Sequence, residues 1–453
     1  MRNTLSRFNP DDFPRRKCFA CKTHGATSPT IACAQFLQNR KEHSNLLTAL
    51  LALFLIAGSA FGQQPQLQSE EDFSERSTSQ NEFRSSDQSG LSRALSNDGK
   101  PTSRVFWVDA EYLLLSIDRY SIPSLVTSSS VGTPSSNAGV LNSPNTTPLL
   151  GTEYGKASQS GFKFGVGGWL DRNHESGFEV NYFGLPSQSE RHTFDSNQFS
   201  ILARPVFDST LGREAASLIS YPNVLRGNLS VIGSTDLQMV DALFRERWAK
   251  GPSSQVDVVF GYQYAGLHEK LSIDQFSQYL SGQGPILVGT TKQISDQFET
   301  RNQFHGGVFG LDYRERIGRS IFSIRPGLAF GMNETKVDIR GNTKNIVPGG
   351  GVANFAGGLL AQSTNIGSYS DRKMIVIPEL TVRLQTQLCS NWQFSIGYNL
   401  HYWSNAVRPG SQIDRMVSQY PPETPVGDRH PLFPFQKEGV LIHGLQTGLV
   451  FSF

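Results

Sequence analysis

The stretch Gly439–Phe453 decides the fold, and it reads Gly-Val-Leu-Ile-His-Gly-Leu-Gln-Thr-Gly-Leu-Val-Phe-Ser-Phe. Residues taken in steps of two back from Phe453 are large and mostly apolar, whereas the intervening set from Ser452 to Gly444 is small and mixed. A period of two places these sets on opposite faces of one strand. The length and pattern predict the closing strand of a membrane β-barrel, with Phe451 and Phe453 in an interfacial aromatic girdle. An edge strand of a secreted β-sandwich is the alternative.

The composition of the 453 residues favours such a barrel and excludes two other classes of protein. A hydrophobic content of 38% and a mean hydropathy of -0.32 exclude a bundle of membrane helices. Aromatic residues nevertheless make up 11% of the chain, and 43 residues are glycine. Many aromatics and glycines with few aliphatics suit strands that face lipid on one side and a filled lumen on the other. A net charge of +2 gives no broad basic face for nucleic acid.

The first part of the chain has the features of an export signal. Residues 1–45 are basic and irregular, and Leu46–Ala57 is an apolar run that is shorter than the roughly 20 residues of a membrane-spanning helix. Small residues follow at Ala60 and Gly62. We predict a leader and signal peptide over residues 1–62, cleaved near Gly62, with an uncleaved anchor helix as the alternative. Residues 63–104 are polar, and we expect a disordered periplasmic lead.

The cysteines predict neither a disulfide nor a metal site. Cys18, Cys21 and Cys33 precede the predicted cleavage site, so a mature chain keeps only Cys389. The Cys18-x-x-Cys21 pair lacks a second pair at the spacing of a zinc site. We therefore expect no metal and no cofactor.

From residue 105 to the C-terminus, residue 453, the alternation of apolar and polar residues recurs in about ten segments. The segments are Val105–Leu115, Gly161–Leu170, Phe178–Tyr182, Val240–Trp248, Val256–Tyr264, Phe309–Tyr313, Phe322–Phe330, Val376–Leu384, Trp392–Tyr402 and Gly439–Phe453.

The connections between these segments alternate between long and short, which is typical of a barrel with short periplasmic turns and long external loops. The short connections are Asp171–Ser176, Ala249–Ser254, Ile317–Arg319 and Cys389–Asn391. The long connections are Ser116–Ser160, Gly184–Gln238, Lys270–Asn302, Asp338–Lys373 and Ser404–Glu438. We predict an all-β, antiparallel, up-and-down transmembrane barrel over residues 105–453. Further apolar pieces at Ile201–Phe207 and Gly357–Ala361 extend the predicted strand number to 10–12.

Several stretches are similar, in the same order, to a bacterial outer-membrane β-barrel porin family, family seven. They are Phe106-Trp107-Val108-Asp109-Ala110-Glu111-Tyr112-Leu113-Leu114, Pro123–Thr127, Ala203-Arg204-Pro205, Arg301–Gly307, Gly357–Gln362 with Asn365-Ile366-Gly367, and Tyr398–Asp414. The chain departs from the family at Leu115-Ser116, where members often have tryptophans, and this could alter the girdle there. The resemblance covers the chain from Arg104 to the C-terminus. It implies an outer-membrane barrel and names no substrate.

Charged residues on the predicted inner faces are the candidate lumen-lining residues. They are Asp109, Glu111, Lys163, Glu179, Asp241, Arg245, Arg247, Asp257, Asp312, Arg314, Arg325, Glu379 and Arg383. Because the lumen of such a barrel is narrow, buried charges must pair, so a structural network of ion pairs is one interpretation. The other is a narrow solute path whose selectivity these charges set. Arg408 and Asp414, beside a Pro-Gly turn, form either a surface turn or a loop that constricts the pore.

We predict a bacterial outer-membrane protein, exported by a signal peptide, that allows passive diffusion of small polar solutes in the manner of a porin. The alternative is a plugged structural or adhesive barrel that displays its loops, and a hydrolase at the barrel rim is the third hypothesis. The sequence lacks the Gly-x-Ser-x-Gly and His-Glu-x-x-His motifs, so we predict no enzymatic activity and no catalytic residues. The expected partners are outer-membrane lipid, the barrel-assembly machinery through the C-terminal strand, and small polar solutes, with no nucleic acid.

Overall fold

The structure of the protein, a computed structural model, describes residues 105–423 and 429–453, so the predicted leader, cleavage site and polar lead lie outside the described residues. No helix within these ranges has the length and apolar character needed to span a membrane. The described residues form sixteen strands, numbered here in chain order: β1 (Phe106–Ile117), β2 (Tyr120–Ser129), β3 (Thr146–Tyr154), β4 (Gln159–Trp169), β5 (Ser176–Asp195), β6 (Leu202–Asp208), β7 (Arg213–Ser220), β8 (Leu225–Lys250), β9 (Ser254–Tyr279), β10 (Thr291–Ile317), β11 (Ser320–Val347), β12 (Gly351–Ala356), β13 (Gly367–Gln387), β14 (Trp392–Ala406), β15 (Met416–Val417) and β16 (Glu438–Ser452).

Ten strands close into an antiparallel ring in the order β1, β4, β5, β8, β9, β10, β11, β13, β14 and β16. The ring closes where β16 pairs with β1, with Val108 opposite Phe451. The predicted up-and-down barrel is therefore confirmed, with ten strands in the ring. The two further pieces do not add to the barrel, because Ile201–Phe207 falls largely in β6 of a second sheet and Gly357–Ala361 contains no strand of its own.

The outer face of the ring carries an apolar band beside the short turns, at what we call the short-turn end of the barrel. Phe164, Phe309 and Phe330 are each more than half exposed there, and Phe453 is 55% exposed. Phe451 lies in the same row on β16, between Trp392 and Phe453. About ten residues of each tilted strand belong to this band, which corresponds to a height of about 25 Å. Apolar side chains on an exposed outer face are expected where the surrounding solvent is lipid.

The strands at the opposite, long-loop end run further than the sequence predicted. β9 extends to Tyr279 and β10 begins at Thr291, so the predicted long connection Lys270–Asn302 is wrong, and β11 likewise continues to Val347. The physical reason is a change of phase in the alternation. Beyond the apolar band the apolar residues, such as Leu271 and Ile273, point inward and the polar residues point outward.

A second sheet covers this end of the barrel and forms what we call the cap, made of β2, β3, β6, β7 and β15. Its strands come from three of the long connections, between β1 and β4, between β5 and β8, and between β14 and β16. Buried cap residues such as Val126 and Val206 pack in one cluster with inward residues of the long strands, such as Leu271 and Phe298. The hydrophobic effect therefore holds the cap inside the extended end of the barrel.

A separate apolar layer crosses the barrel interior between the cap and the short-turn end. It combines inward side chains from nine of the ten strands. They include Leu113, Leu115, Phe183, Leu237, Met239, Leu267, Phe304, Ile377, Trp403 and Ile442. Trp403 and Phe304 are completely buried at the centre of this set. The barrel interior at this level is packed as a protein core.

Candidate functional site

All thirteen candidate lumen-lining residues lie on the inner face of the barrel, on the short-turn side of the apolar layer. Eleven of them line a cavity of about 540 Å³, and Glu111 and Asp257 are buried beside it. Residues of the short turn after β8, such as Pro252, also line this cavity. The cavity therefore opens at the short-turn end.

Arg245 is the centre of the largest group of ion pairs. Its guanidinium lies 2.8 Å from Glu179, 3.2 Å from Asp257 and 3.0 Å from Asp312. Arg325 pairs with two of the same carboxylates, at 3.0 Å from Glu179 and 3.1 Å from Asp312. Because each carboxylate contacts more than one cation, this part of the wall is a connected network.

A second group lies on the opposite wall and is smaller. Glu111 pairs with Lys163 at 3.5 Å and with Arg383 at 3.2 Å. These contacts join β1, β4 and β13 across the lumen. Ion pairs that span the interior in this way stabilise the barrel and leave little free charge on these residues for a solute.

Nearer the apolar layer, the carboxylates are less well paired. Glu379 accepts a hydrogen bond from Gln263 at 2.5 Å and lies 3.3 Å from His401. Asp109 and Asp241 form no ion pair among the described residues, and each has an oxygen without a hydrogen-bond partner. The network interpretation thus holds for most of the candidates but leaves these two carboxylates open.

Trp107 and Trp169 also line the cavity, although charge alone gave no reason to select them. The guanidinium of Arg245 lies 6.0 Å from the Trp107 ring and 5.8 Å from the Trp169 ring. Trp169 also stacks on His174 of the first short turn. The Arg245 guanidinium therefore contacts aromatic faces as well as carboxylates.

The inner end of the cavity is apolar. Phe183 and Met239, which belong to the apolar layer, line it there, whereas Leu243 and Val259 line the wall nearer the mouth, at the level of Arg245. A narrow path for polar solutes would have to cross this layer, whose side chains are buried against each other. The structure therefore shows a chamber that is closed toward the cap.

The two candidate constriction residues have different environments. Arg408 is buried inside the barrel, where it forms two hydrogen bonds with Glu269 at 2.8 and 2.6 Å and lies 4.9 Å from the Tyr120 ring. Asp414 stays within its own loop, where it accepts hydrogen bonds from the backbone of Met416 and Leu432. Arg408 thus points into the interior, and Asp414 organises the loop.

Two histidines lie on the outer face at different heights. His443 lies 2.7 Å from the Tyr398 hydroxyl within the aromatic belt. His268 lies 3.0 Å from Glu299 and 3.8 Å from Asp236, so its neighbours are carboxylates. The reason is that β9 has passed above the apolar band at this position.

Solved structures with low similarity to this chain are outer-membrane barrels. The outer membrane protease OmpT from Escherichia coli is 7% identical, with a TM-score of 0.33, over 78% of this chain and 99% of that chain. The P. putida toluene transporter TodX is 6% identical, with a TM-score of 0.19, over 78% and 91%. A Pseudomonas aeruginosa FadL homologue is 8% identical, with a TM-score of 0.17, over 77% and 89%. Similarity at this level carries no argument about function.

The family comparison is more specific. No curated protein matches the chain. Residues 107–453, which include all ten barrel strands apart from Phe106, match the family described as "Putative beta barrel porin-7 (BBP7)". This agrees with the resemblance seen in the sequence and with a barrel of the bacterial outer membrane. The chain belongs to the beta barrel porin-7 family.

Proposed function

We propose that this outer-membrane barrel is closed to solutes and presents its cap at the cell surface. The observation that carries the proposal is the buried apolar layer, which fills the interior between the cavity and the cap. Polar solutes that cross such a layer lose their hydrogen bonds to water without replacement, which costs several kcal/mol for each group. The porin-like diffusion expected from the sequence would therefore need a rearranged interior.

The cap supports a role in surface display. Long loops of outer-membrane barrels face the outside of the cell, and here they form a folded sheet with a buried core. Apolar side chains at this end of the molecule are exposed, such as Val131 after β2 at 73% and Val288 between β9 and β10 at 59%. Exposed apolar side chains on a rigid support suit contact with another surface. This role corresponds to a structural or adhesive barrel.

Passage of small polar solutes is the second candidate function. The family name and the charged cavity at the short-turn end favour it. In this alternative the apolar layer and the loop that contains Arg408 move aside to connect the cavity with the exterior. The charges of Arg325 and Glu379 would then bias which solutes pass.

Swelling of liposomes in an isotonic solution of a small sugar separates the two functions. We expect liposomes that contain the folded protein to swell no faster than liposomes without protein, while a general diffusion porin gives rapid swelling in the same preparation. Swelling that depends on solute size would contradict the closed barrel. If its rate also changes for charged solutes in Arg325→Gln, the second function is supported.

The remaining functional predictions belong to the same proposal. Export by a signal peptide and insertion by the barrel-assembly machinery through β16 are expected for an outer-membrane barrel. We also propose that the protein is not an enzyme. A panel of peptide and lipid substrates tests this, and turnover that is lost when His268 is replaced by Ala would contradict it.

A further inference from the structure

Four acceptor oxygens without hydrogen-bond partners lie in one row across neighbouring strands, and three of the four residues line the cavity. They are Asp109 Oδ2, Asn181 Oδ1, Asp241 Oδ1 and Gln263 Oε1. Gly165 of β4 is paired with Asp109 of β1 on one side and with Asn181 of β5 on the other. Asn181 is paired in turn with Asp241 of β8, and Asp241 with Gln263 of β9. Asp109, Asn181 and Gln263 are each at least 95% buried. A buried acceptor without a donor is unfavourable, so a row of four calls for an explanation.

The orientation of the two amides is fixed by their neighbours. Asn181 donates its Nδ2 hydrogen to Glu179 at 2.8 Å, and Gln263 donates its Nε2 hydrogen to Glu379 at 2.5 Å. The carbonyl oxygen of each amide therefore points away from these carboxylates. No donor among the described residues reaches these four oxygens, and a ligand in the cavity would supply one.

Gly165 leaves room in the middle of this row. A Cβ at this position would lie 2.4 Å from Asp109 Oδ1 and 2.8 Å from Asn181 Oδ1. Any side chain here would fill the space between the two oxygens. The lack of a side chain at Gly165 therefore lets Asp109 and Asn181 pack closely over β4, beside the cavity that both residues line.

The mouth of the cavity has the opposite charge. Arg247, Lys250, Arg314 and Arg316 line it beside the short turns, and Asp257 is the carboxylate beside them. Asp241 and Arg247 are six positions apart on β8, which is a distance of about 20 Å along the strand. A ligand that reaches from the row toward the mouth thus meets acceptors first and cations last.

We propose that the cavity binds a short zwitterionic peptide that enters from the short-turn end. Its ammonium group, which has three N–H donors, lies against Asp109, Asn181 and Asp241, and its carboxylate points to the arginines at the mouth. An extended peptide covers about 3.3–3.6 Å per residue, so about four to six residues span the cavity. A volume of about 540 Å³ is within the usual range for small-ligand sites. Binding at this end does not depend on whether the barrel conducts.

Calorimetric titration of the full-length protein in detergent with tetra-alanine tests this proposal. We expect saturable binding, and at least tenfold weaker binding of N-acetylated tetra-alanine, because acetylation removes the charged donor. Asp109→Asn and Asp241→Asn should each weaken binding of the free peptide at least tenfold. Glu334→Gln, which changes an exposed carboxylate outside the cavity, is the matched control and should bind like the unchanged protein.

Stability measurements separate a binding role from a structural one. Because Asp241 has no ion partner, Asp241→Asn should unfold in urea at the same concentration as the unchanged protein or a higher one. Equal binding of acetylated and free peptide would overturn the proposal. Absence of peptide binding would also overturn it. If tetra-alanine does not bind but calcium or sodium ions bind saturably, and Asp241→Asn abolishes that binding, the row holds an inorganic cation and the proposal is wrong.

Discussion

At the scale of single residues, the interior charges stabilise the barrel through shared partners. Arg245 contacts Glu179, Asp257 and Asp312, so Arg245→Ala leaves several buried carboxylates short of a cation. We expect a loss of about 3–5 kcal/mol in the free energy of unfolding, measured by urea titration of the folded barrel. Arg372→Ala removes an exposed ion pair and should cost at most about 1 kcal/mol. Equal losses in the two variants would contradict the network.

Asp171 gives a residue-scale prediction that depends on pH. Desolvation alone would raise its pKa, but hydrogen bonds from the backbone amides of Ser176, Glu175 and Asn173 outweigh this and lower the pKa. The stabilisation is therefore present above the pKa of the unfolded chain, about 3.9, and is lost as pH falls through the folded value. Asp171→Ala should lower the urea midpoint at pH 7, and the gap should narrow as pH falls below about 4. Glu175→Ala should show no such gap, and a gap that persists in acid would refute the assignment.

At the scale of elements, Asp296 is a polar contact between the barrel and the cap. Asp296 of β10 lies 2.7 Å from Arg204 of β6 and accepts backbone hydrogen bonds from Leu360 and Ala361 at 2.9 and 2.8 Å. Asp296→Ala removes all three contacts and leaves Arg204 buried without a partner. We expect proteases added to the outside of the barrel to cut the cap faster, because local opening becomes less costly.

The matched control for this element is Asp274→Ala. Asp274 is exposed on β9 and accepts one hydrogen bond from Ser295. Loss of the Asp274 carboxylate should leave the digestion rate unchanged. Both variants should still migrate differently on a gel before and after boiling, which shows that the barrel is folded. Unchanged digestion of Asp296→Ala would indicate that apolar packing alone holds the cap.

At the scale of the whole molecule, the sequence predicted the barrel from the apolar residues of its outer face. The alternation in β16 and the rhythm of the connections predicted the barrel, because residues that face lipid are apolar along a whole row. The same alternation predicted that the thirteen charged residues lie on the inner face. These patterns predicted a barrel of 10–12 strands and a resemblance to the family, and the structure has ten strands in the ring.

The cap and the apolar layer could not be predicted from those patterns. Leu271 and Ile273 point inward, opposite to the apolar residues earlier in β9, so a search for one phase reads them as loop. Phe304 and Trp403 look like isolated aromatics until the closed ring brings their strands face to face. The orientation of the Gln263 amide depends on its hydrogen bond to Glu379, which joins β9 to β13. Contacts of this kind arise only from tertiary pairing.

The central claim is that the barrel interior is closed by its own side chains, and electrical recording tests it most directly. Protein that migrates differently before and after boiling is inserted into a planar lipid bilayer, and current is measured over a range of voltages. We predict no steady current above that of the bilayer alone. A steady, ohmic current from the folded protein would contradict the claim.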